Sequence, residues 1–288
     1  MTDTKSGLIA INIAAIIFGS AALFGKLDIS PFWIVAMRGF FAAVTLFLVG
    51  RLRGDVLRLR GRGLLLPLVV TGLLLSAHWL SFFASVQLSG IAIATLTFAA
   101  FPLFTVLVTA CLQRKLPSVL QTAAGIVIMI AVALLVDIKD GGAVLYGALA
   151  GLASALLYAF FSIQSKQLIS KMAPLNISLA QNIVVFVSLL PALPFVSPAP
   201  ALASDWLWLA VLGIVTTALM LQLFLFALAR LSAAVCSGFV ALEPVYAVAF
   251  AAIFFKEPLT IWVFVSGVLI VGSSVALLFA DRAKRPAS

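Results

Sequence analysis

The segment LLLPLVVTGLLLSAHWLSFFASVQLSGIAIATLTFAAFPLFTVLVTACL (residues 64–112) decides the fold class of this chain. It is almost continuously apolar, and a bilayer core about 30 Å thick needs about 20 apolar residues in a helix. The segment therefore predicts two membrane-spanning helices, 64–85 and 91–112, with a very short connection at Leu88–Ser89–Gly90. The strands of a transmembrane barrel would be roughly ten residues long and would alternate apolar with polar side chains, so helices are favoured.

The composition of the whole chain agrees with this segment. Of its 288 residues, 64% are hydrophobic and 9% are charged, and the mean hydropathy is +1.27. A soluble domain is about 45–50% apolar and about 25% charged, because it must cover itself with polar surface. A soluble enzyme, a nucleic-acid-binding protein and a disordered chain are therefore excluded. The net charge of +9 fits basic cytoplasmic loops better than a nucleic-acid partner.

Counting apolar runs predicts an all-α membrane protein with ten transmembrane helices. Proline, glycine and charged residues mark the breaks between the runs. The predicted spans are 8–25, 32–50, 64–85, 91–112, 118–136, 143–165, 174–196, 205–228, 233–255 and 259–280.

The loop charges predict the orientation of these helices. Nearly all loop lysines and arginines fall on the side of the N-terminus, and the exceptions are Lys26, Lys139 and Lys256. Because basic residues accumulate in the cytoplasm, both termini are predicted to be cytoplasmic and Glu257 to be outside. The basic loop from Arg51 to Arg62 is expected to contact lipid headgroups.

The two halves of the chain, 1–140 and 141–288, share a pattern that predicts an internal repeat. Five helices per repeat is an odd number, so the second copy must enter the membrane from the opposite face, as in the inverted repeats of secondary transporters. Such halves can rock about a central site and give alternating access. The matching features are residues 83–89 with 226–232, Phe18–Gly19 before Lys26 with Tyr158–Ala159 before Lys166, Pro102 with Pro244, and Gly125 with Gly267.

On these features the chain resembles the drug/metabolite transporter superfamily in its EamA-type branch. A proline inside the fourth helix of each half and the turn Phe255–Lys256–Glu257–Pro258 carry the resemblance, together with the glycine-bearing last helix. The first half departs from the pattern, since Arg114–Lys115–Leu116–Pro117 has no Glu. Within the family the chain is most similar to the YddG-type exporters of aromatic and other neutral amino acids. The resemblance implies a secondary transporter of the bacterial inner membrane.

Ionisable side chains inside a bilayer are costly, so each is a candidate functional residue. The candidates are Arg38, His78 and Glu243. Glu243 fits a substrate ammonium or a proton, but it also fits a structural ion pair with Arg38, and the sequence leaves both readings open. His78 fits a hydrogen-bond donor in a pocket or an interhelical hydrogen bond.

Polar and aromatic stripes on several helices extend this candidate site. Arg38 or His78 with Glu243 matches the two charges of an amino acid, and the aromatic rings match its side chain. A cationic drug fits the same rings through cation–π contacts. The predicted cavity residues are Asn12, Arg38, His78, Phe82, Phe98, Tyr158, Gln164, Gln222, Glu243 and Tyr246, and the predicted helix breaks are Pro102 and Pro244.

The motifs favour a transporter over the other classes. A single histidine, two cysteines inside apolar runs and the lack of any catalytic or phosphate-binding motif predict no enzyme, no metal and no cofactor. A passive channel stays as the alternative class, although no charged ring or filter sequence is present. The expected partners are a small-molecule substrate and membrane lipid, with the chain as a monomer. Proton antiport and facilitated diffusion are both open.

The cysteines are read as small core residues, and Gly147-x-x-x-Gly151 predicts close helix packing.

Overall fold

The computed structural model describes residues 2–54, 63–114, 116–135, 142–169, 171–228, 230 and 242–283, and all of its regular structure is helical within these residues. Three short segments with other helical geometry adjoin the α-helices: the 3-10 segments Ala21–Lys26 and Leu190–Phe195 and the π segment Ile214–Leu219. The α-helices are α1 (Thr2–Ser20), α2 (Pro31–Leu52), α3 (Leu65–Phe98), α4 (Phe101–Leu112), α5 (Val119–Leu135), α6 (Ala143–Ile169), α7 (Pro174–Leu189), α8 (Ala203–Gly213), α9 (Met220–Leu228), α10 (Glu243–Phe255) and α11 (Ile261–Ala283).

Helices occupy each of the ten predicted spans within the described residues. Six described helical stretches are long and apolar enough to cross a membrane, and four shorter apolar helices accompany them. Residues 233–241 of the predicted ninth span and residues 55–62 of the basic loop lie outside the described residues.

The predicted break between the third and fourth spans is present at Gly90. Its φ of 84° interrupts α3, and this left-handed conformation is one that glycine adopts without a steric penalty. A second break follows at Ala99 and Ala100, after which α4 begins. Pro102 therefore lies in the first turn of a new helix, where its missing N–H costs nothing, and not inside one continuous helix as the sequence predicts.

The two halves of the chain interlock. The largest helix contacts join α3 to α6, α2 to α7, α5 to α11, α3 to α7 and α1 to α9, and each pair takes one helix from residues 1–140 and one from residues 141–288. The charged and aromatic side chains described below lie on α2, α3, α4, α6 and α10. One prediction about the core is wrong: Cys111 is exposed on α4. Cys236 lies outside the described residues.

Glycines allow the helices of the two halves to approach closely. A Cβ at Gly151 would collide with the side chain of Thr97 and lie 3.0 Å from Ser85 Oγ, both on α3. A Cβ at Gly213 would lie 2.8 Å from the carbonyl oxygen of Arg38. The predicted close packing at Gly147-x-x-x-Gly151 is confirmed, since small residues let helix backbones meet.

The Gly151→Val variant should be markedly less stable than the native protein. Overpacking a close contact costs about 1–3 kcal/mol. In a chain of this size we expect the midpoint of thermal unfolding in detergent to fall by roughly 5 °C or more. Gly272→Val is the matched control, because a Cβ at Gly272 meets nothing within 4 Å. Equal midpoints for the two variants would contradict the α3–α6 contact.

Candidate substrate site

Arg38 is a buried charged side chain that a hydrogen bond and an aromatic ring hold in place inside the helical bundle. Its side chain is 5% exposed, its Nε donates a hydrogen bond to Thr217 Oγ1 at 2.9 Å, and its Cζ lies 4.0 Å from the centre of the Trp79 ring. The ring face attracts the cation and holds the plane of the guanidinium. No described residue accepts a hydrogen bond from the two terminal NH₂ groups, so the forked end of Arg38 is available.

The π segment between α8 and α9 brings Thr217 to this arginine. Thr217 Oγ1 also lies 3.1 Å from the carbonyl oxygen of Leu212, five residues earlier, which is the spacing of a π turn. Such turns occur often at functional sites, because the extra residue re-aims the side chains. The absence of a side chain at Gly213 lets this segment approach the backbone of Arg38.

Glu243 supplies the opposite charge. It lies in the first turn of α10, is 7% exposed, and its charge interacts with Arg38 and with Tyr158. The hydrogen bonds between described residues include none to its carboxylate, and residues 231–241, which precede this helix, lie outside the described structure. Within the described structure its oxygens also stay beyond the roughly 4 Å that defines an ion pair with Arg38. Of the two readings that the sequence leaves open, the direct structural pair with Arg38 is therefore not seen between these two described residues.

His78 joins α3 to α6. Its Nδ1 lies 2.8 Å from Ser154 Oγ and 3.1 Å from the Ser154 carbonyl oxygen. A hydrogen bond to the carbonyl oxygen requires the proton on Nδ1, whereas the Ser154 hydroxyl can pair with either tautomer of the ring. The interhelical hydrogen bond expected for His78 is present, and the histidine ring also borders the aromatic cluster.

Four helical segments contribute rings to that cluster, which we call the aromatic wall. The ring of His78 lies 5.1 Å from that of Phe98 and 4.9 Å from that of Tyr158, and these two rings are 5.4 Å apart. Rings at such distances attract one another in tilted and edge-on arrangements. The aromatic wall consists of His78, Phe82, Phe98, Phe101, Tyr158 and Phe161.

The structure brings together six of the predicted cavity residues: Arg38, His78, Phe82, Phe98, Tyr158 and Glu243. The contacts of Asn12 and Gln222 lie elsewhere. Asn12 Nδ2 donates to the carbonyl oxygen of Leu8 on its own helix, and Gln222 Oε1 accepts from Arg53 at 3.0 Å. Both amide side chains therefore have polar partners away from Arg38 and Glu243.

The other predicted positions adjoin the cluster along the chain. Gln164 is half-buried further along α6 than Tyr158, and Tyr246 follows Glu243 on α10. A Cβ at Gly19 would lie 2.7 Å from Tyr246 Cβ, so α1 packs against α10 here. Pro244, like Pro102, lies in the first turn of its helix.

Sequence reasoning did not select Trp79, Thr217 or Phe101. Trp79 is an apolar residue directly after His78, and Thr217 is a hydroxyl residue in an apolar run. Neither feature distinguishes a functional residue from an ordinary residue of a membrane helix. Their roles depend on the approach of Arg38 from another helix, which no local pattern encodes.

A separate groove of about 750 Å³ lies between α10 and α11. Its lining is apolar apart from Thr260, and several lining side chains, such as Phe264 at 69%, are strongly exposed. The groove borders Pro244 but contains none of the charged residues, so it is distinct from the Arg38–Glu243 site.

Long apolar helices that bury an arginine, a histidine and a glutamate define a multi-pass membrane protein. The sequence profile of the EamA-like transporter family matches residues 5–137 and again residues 145–279. The chain belongs to the EamA-like transporter family, whose members are membrane transporters of small molecules and not enzymes.

Two further comparisons concern sequence and fold. No curated protein sequence matches the chain. A crystal structure described only as that of a protein covers 99% of this chain and 99% of its own, with a TM-score of 0.66 and 20% sequence identity. At this identity the likeness concerns the fold alone.

Proposed function

We propose that this protein is a secondary transporter that exports neutral amino acids with apolar or aromatic side chains across the bacterial inner membrane by alternating access. One observation carries the proposal: a buried arginine and a buried glutamate lie near enough for their charges to interact, yet they form no ion pair with each other. Buried charges are normally paired, because removing them from water is costly. A ligand with one negative and one positive end would satisfy both.

An amino-acid zwitterion has these two ends on one carbon. Its carboxylate matches the forked end of Arg38, because guanidinium groups bind carboxylates through two parallel hydrogen bonds. Its ammonium matches Glu243. The aromatic wall then lies beside the substrate side chain, where ring faces and edges favour apolar and aromatic groups.

The same charges disfavour the alternative of a cationic drug exporter. Glu243 and the rings would attract a cation, but the charge of Arg38 acts in the same buried region and would repel it. A zwitterion avoids this conflict, since it presents a negative group to the arginine.

The proposed topology has both termini in the cytoplasm and two inverted five-helix halves, 1–140 and 141–288. Two successive matches to one family profile support the repeat, and the distribution of loop lysines and arginines supports the orientation. In such a topology the site between the halves is exposed to each side in turn as the halves rock.

Counterflow in proteoliposomes tests the proposal. The purified protein is reconstituted in vesicles loaded with unlabelled amino acids, nucleosides or quaternary amines, and the uptake of labelled phenylalanine, threonine or a dicationic drug is followed. We expect saturable phenylalanine uptake that is stimulated by internal neutral amino acids and not by internal quaternary amines.

The other outcomes separate the alternatives. Uptake of the drug without any amino-acid exchange would keep the family and remove the substrate assignment. A flux that does not saturate and is not stimulated by internal substrate would indicate a channel. Empty vesicles and vesicles with Gly272→Val protein serve as the blank and the positive control.

A further inference from the structure

A second charged cluster lies at one end of the helical bundle, away from the Arg38–Glu243 site. Lys26 Nζ lies 2.7 Å from Glu257 Oε1, with side-chain exposures of 29% and 15%. The carboxylate of Glu257 also accepts hydrogen bonds from the backbone N–H groups of Ile91 and Ala92 at 3.0–3.2 Å. Glu257 belongs to the second half of the chain, and the other three residues belong to the first.

The break in α3 makes this contact possible. At Gly90 the φ of 84° starts a new helical segment at Ile91, so the first N–H groups of that segment have no partner within the helix. A Cβ at Gly90 would lie 3.0 Å from Glu257 Oε1, so the carboxylate sits directly against the break. A carboxylate at a helix N-terminus is favoured by the helix dipole.

This cluster closes the bundle above the substrate site. Phe82 of the aromatic wall and Gly90 are eight residues apart on α3, which is about 12 Å along the axis. Phe24, Phe83 and Val86 are buried in between and belong to the same apolar cluster as the aromatic wall. A ligand could leave at this end only if the apolar side chains and the ion pair separated.

The internal repeat provides no counterpart at the opposite end. The same offset in residue number aligns Pro102 with Pro244 and Arg114 with Lys256. Arg114 and Lys256 also share a φ of 54°. The same spacing places Lys115 where the second half has Glu257.

Lys26, the other member of the ion pair, has a repeat equivalent that carries the same positive charge. Lys166 is the repeat equivalent of Lys26. By sequence, the repeat equivalents of Lys26 and Glu257 are therefore two lysines, and like charges repel. Lys115 itself lies outside the described residues.

We propose that Lys26, Glu257 and the backbone amides of Ile91 and Ala92 form a one-sided latch. The latch holds the extracellular end shut, so that the unloaded transporter rests with its site closed to the outside. This inference rests on the proposed topology and alternating access, but not on the proposed substrate. Loss of the ion pair would raise the fraction of molecules that open outward.

The test measures access from outside without any substrate. Cys111→Ala and Cys236→Ala remove the native thiols, and Ala94→Cys places a small reporter in the buried cluster below the latch. The rate at which an external, membrane-impermeant thiol reagent modifies this cysteine is measured in right-side-out vesicles. Because the latch uses charge-assisted hydrogen bonds, we expect Lys26→Gln and Glu257→Gln each to raise the rate about ten-fold.

Two matched variants remove charges that take no part in the latch. Lys256→Gln and Asp28→Asn change exposed residues close to the latch in sequence and should leave the rate within about two-fold, as is usual for surface charges. Equal rates in all four variants would overturn the proposal. So would an effect of Glu257→Gln without an effect of Lys26→Gln, because that result would assign the role to helix capping alone.

A cross-link supplies a second measurement. In the same background, a reducible bifunctional thiol reagent long enough to span a Lys–Glu pair should join Lys26→Cys to Glu257→Cys and block modification of the reporter, and reduction should restore it. Unchanged modification after complete cross-linking would overturn the latch. If the reporter behaves as expected while no amino acid is exchanged, the latch stands and only the proposed substrate fails.

Discussion

Arg38→Met should abolish phenylalanine exchange in counterflow, with a fall of at least about 100-fold. The variant removes both terminal NH₂ groups, and each hydrogen bond from a charged group contributes about 1.5–3 kcal/mol. It also removes the cation from the Trp79 face and leaves Thr217 Oγ1 without its donor. The measurement is the initial rate of labelled phenylalanine uptake at equal protein content.

A second variant separates the shape of the group from its charge. Arg38→Lys keeps the cation but loses the planar fork that pairs with a carboxylate and stacks on the ring. We expect an increase in KM of about ten-fold with a smaller change in kcat, because the lost contact is a binding contact. Arg51→Gln on the same helix is the control, since Arg51 is exposed and lies about 20 Å further along the axis of α2 than Arg38.

Folding must be preserved for either result to count. Removing one member of an interacting buried pair is destabilising, so the elution profile and the thermal unfolding midpoint of each variant are compared with those of the native protein. A folded Arg38→Met protein that exchanges phenylalanine at the native rate would contradict the role of Arg38 in substrate binding.

The sequence predicted the central charged residues because membranes make charge conspicuous. Arg38, His78 and Glu243 interrupt apolar runs, and their positions required no knowledge of the fold. The helix positions followed from the same physics, since a lipid environment leaves helices as the simplest way to satisfy every backbone group. The break at Gly90 was also visible, because glycine marks a change of backbone direction.

The partners of these residues could not be predicted from local pattern. Thr217 reaches Arg38 only because a π segment rotates it toward α2, and nothing in the run of residues 214–219 marks such a segment. Gln222 carried the same signal as a true cavity residue, a polar group in an apolar run. Its neighbour in space is Arg53, which the sequence places far away.

The structure differs from the simplest expectation for Arg38 and Glu243, because the two side chains do not form an ion pair. Opposite charges inside a membrane suggest a pair, and a closed pair would be silent in transport. The described geometry instead leaves the carboxylate without a donor and the forked end of the guanidinium without an acceptor. This difference is the reason that we propose the two residues as the two ends of one substrate site.

Glu243→Gln should change which analogues the protein accepts. The substitution keeps the shape of the side chain, removes its negative charge and leaves Arg38 unopposed in the site. We expect phenylalanine exchange to fall at least about 10-fold, because the charge-assisted contact with the ammonium is lost. In the same variant 3-phenylpropionate, which has a carboxylate and no ammonium, should compete better relative to phenylalanine than it does in the native protein.

Arg38→Met should favour the analogue that keeps the other charge of the zwitterion. In Arg38→Met, 2-phenylethylamine, which has an ammonium and no carboxylate, should compete better relative to phenylalanine than it does in the native protein. Glu243 remains in this variant, and the cation that would repel the ammonium is gone. Reciprocal shifts in the two variants would assign one end of the zwitterion to each residue, because general damage to the fold would weaken all three ligands together. Parallel losses for all three ligands in both variants, with the unfolding midpoint unchanged, would place Arg38 and Glu243 outside substrate recognition and in the conformational change itself.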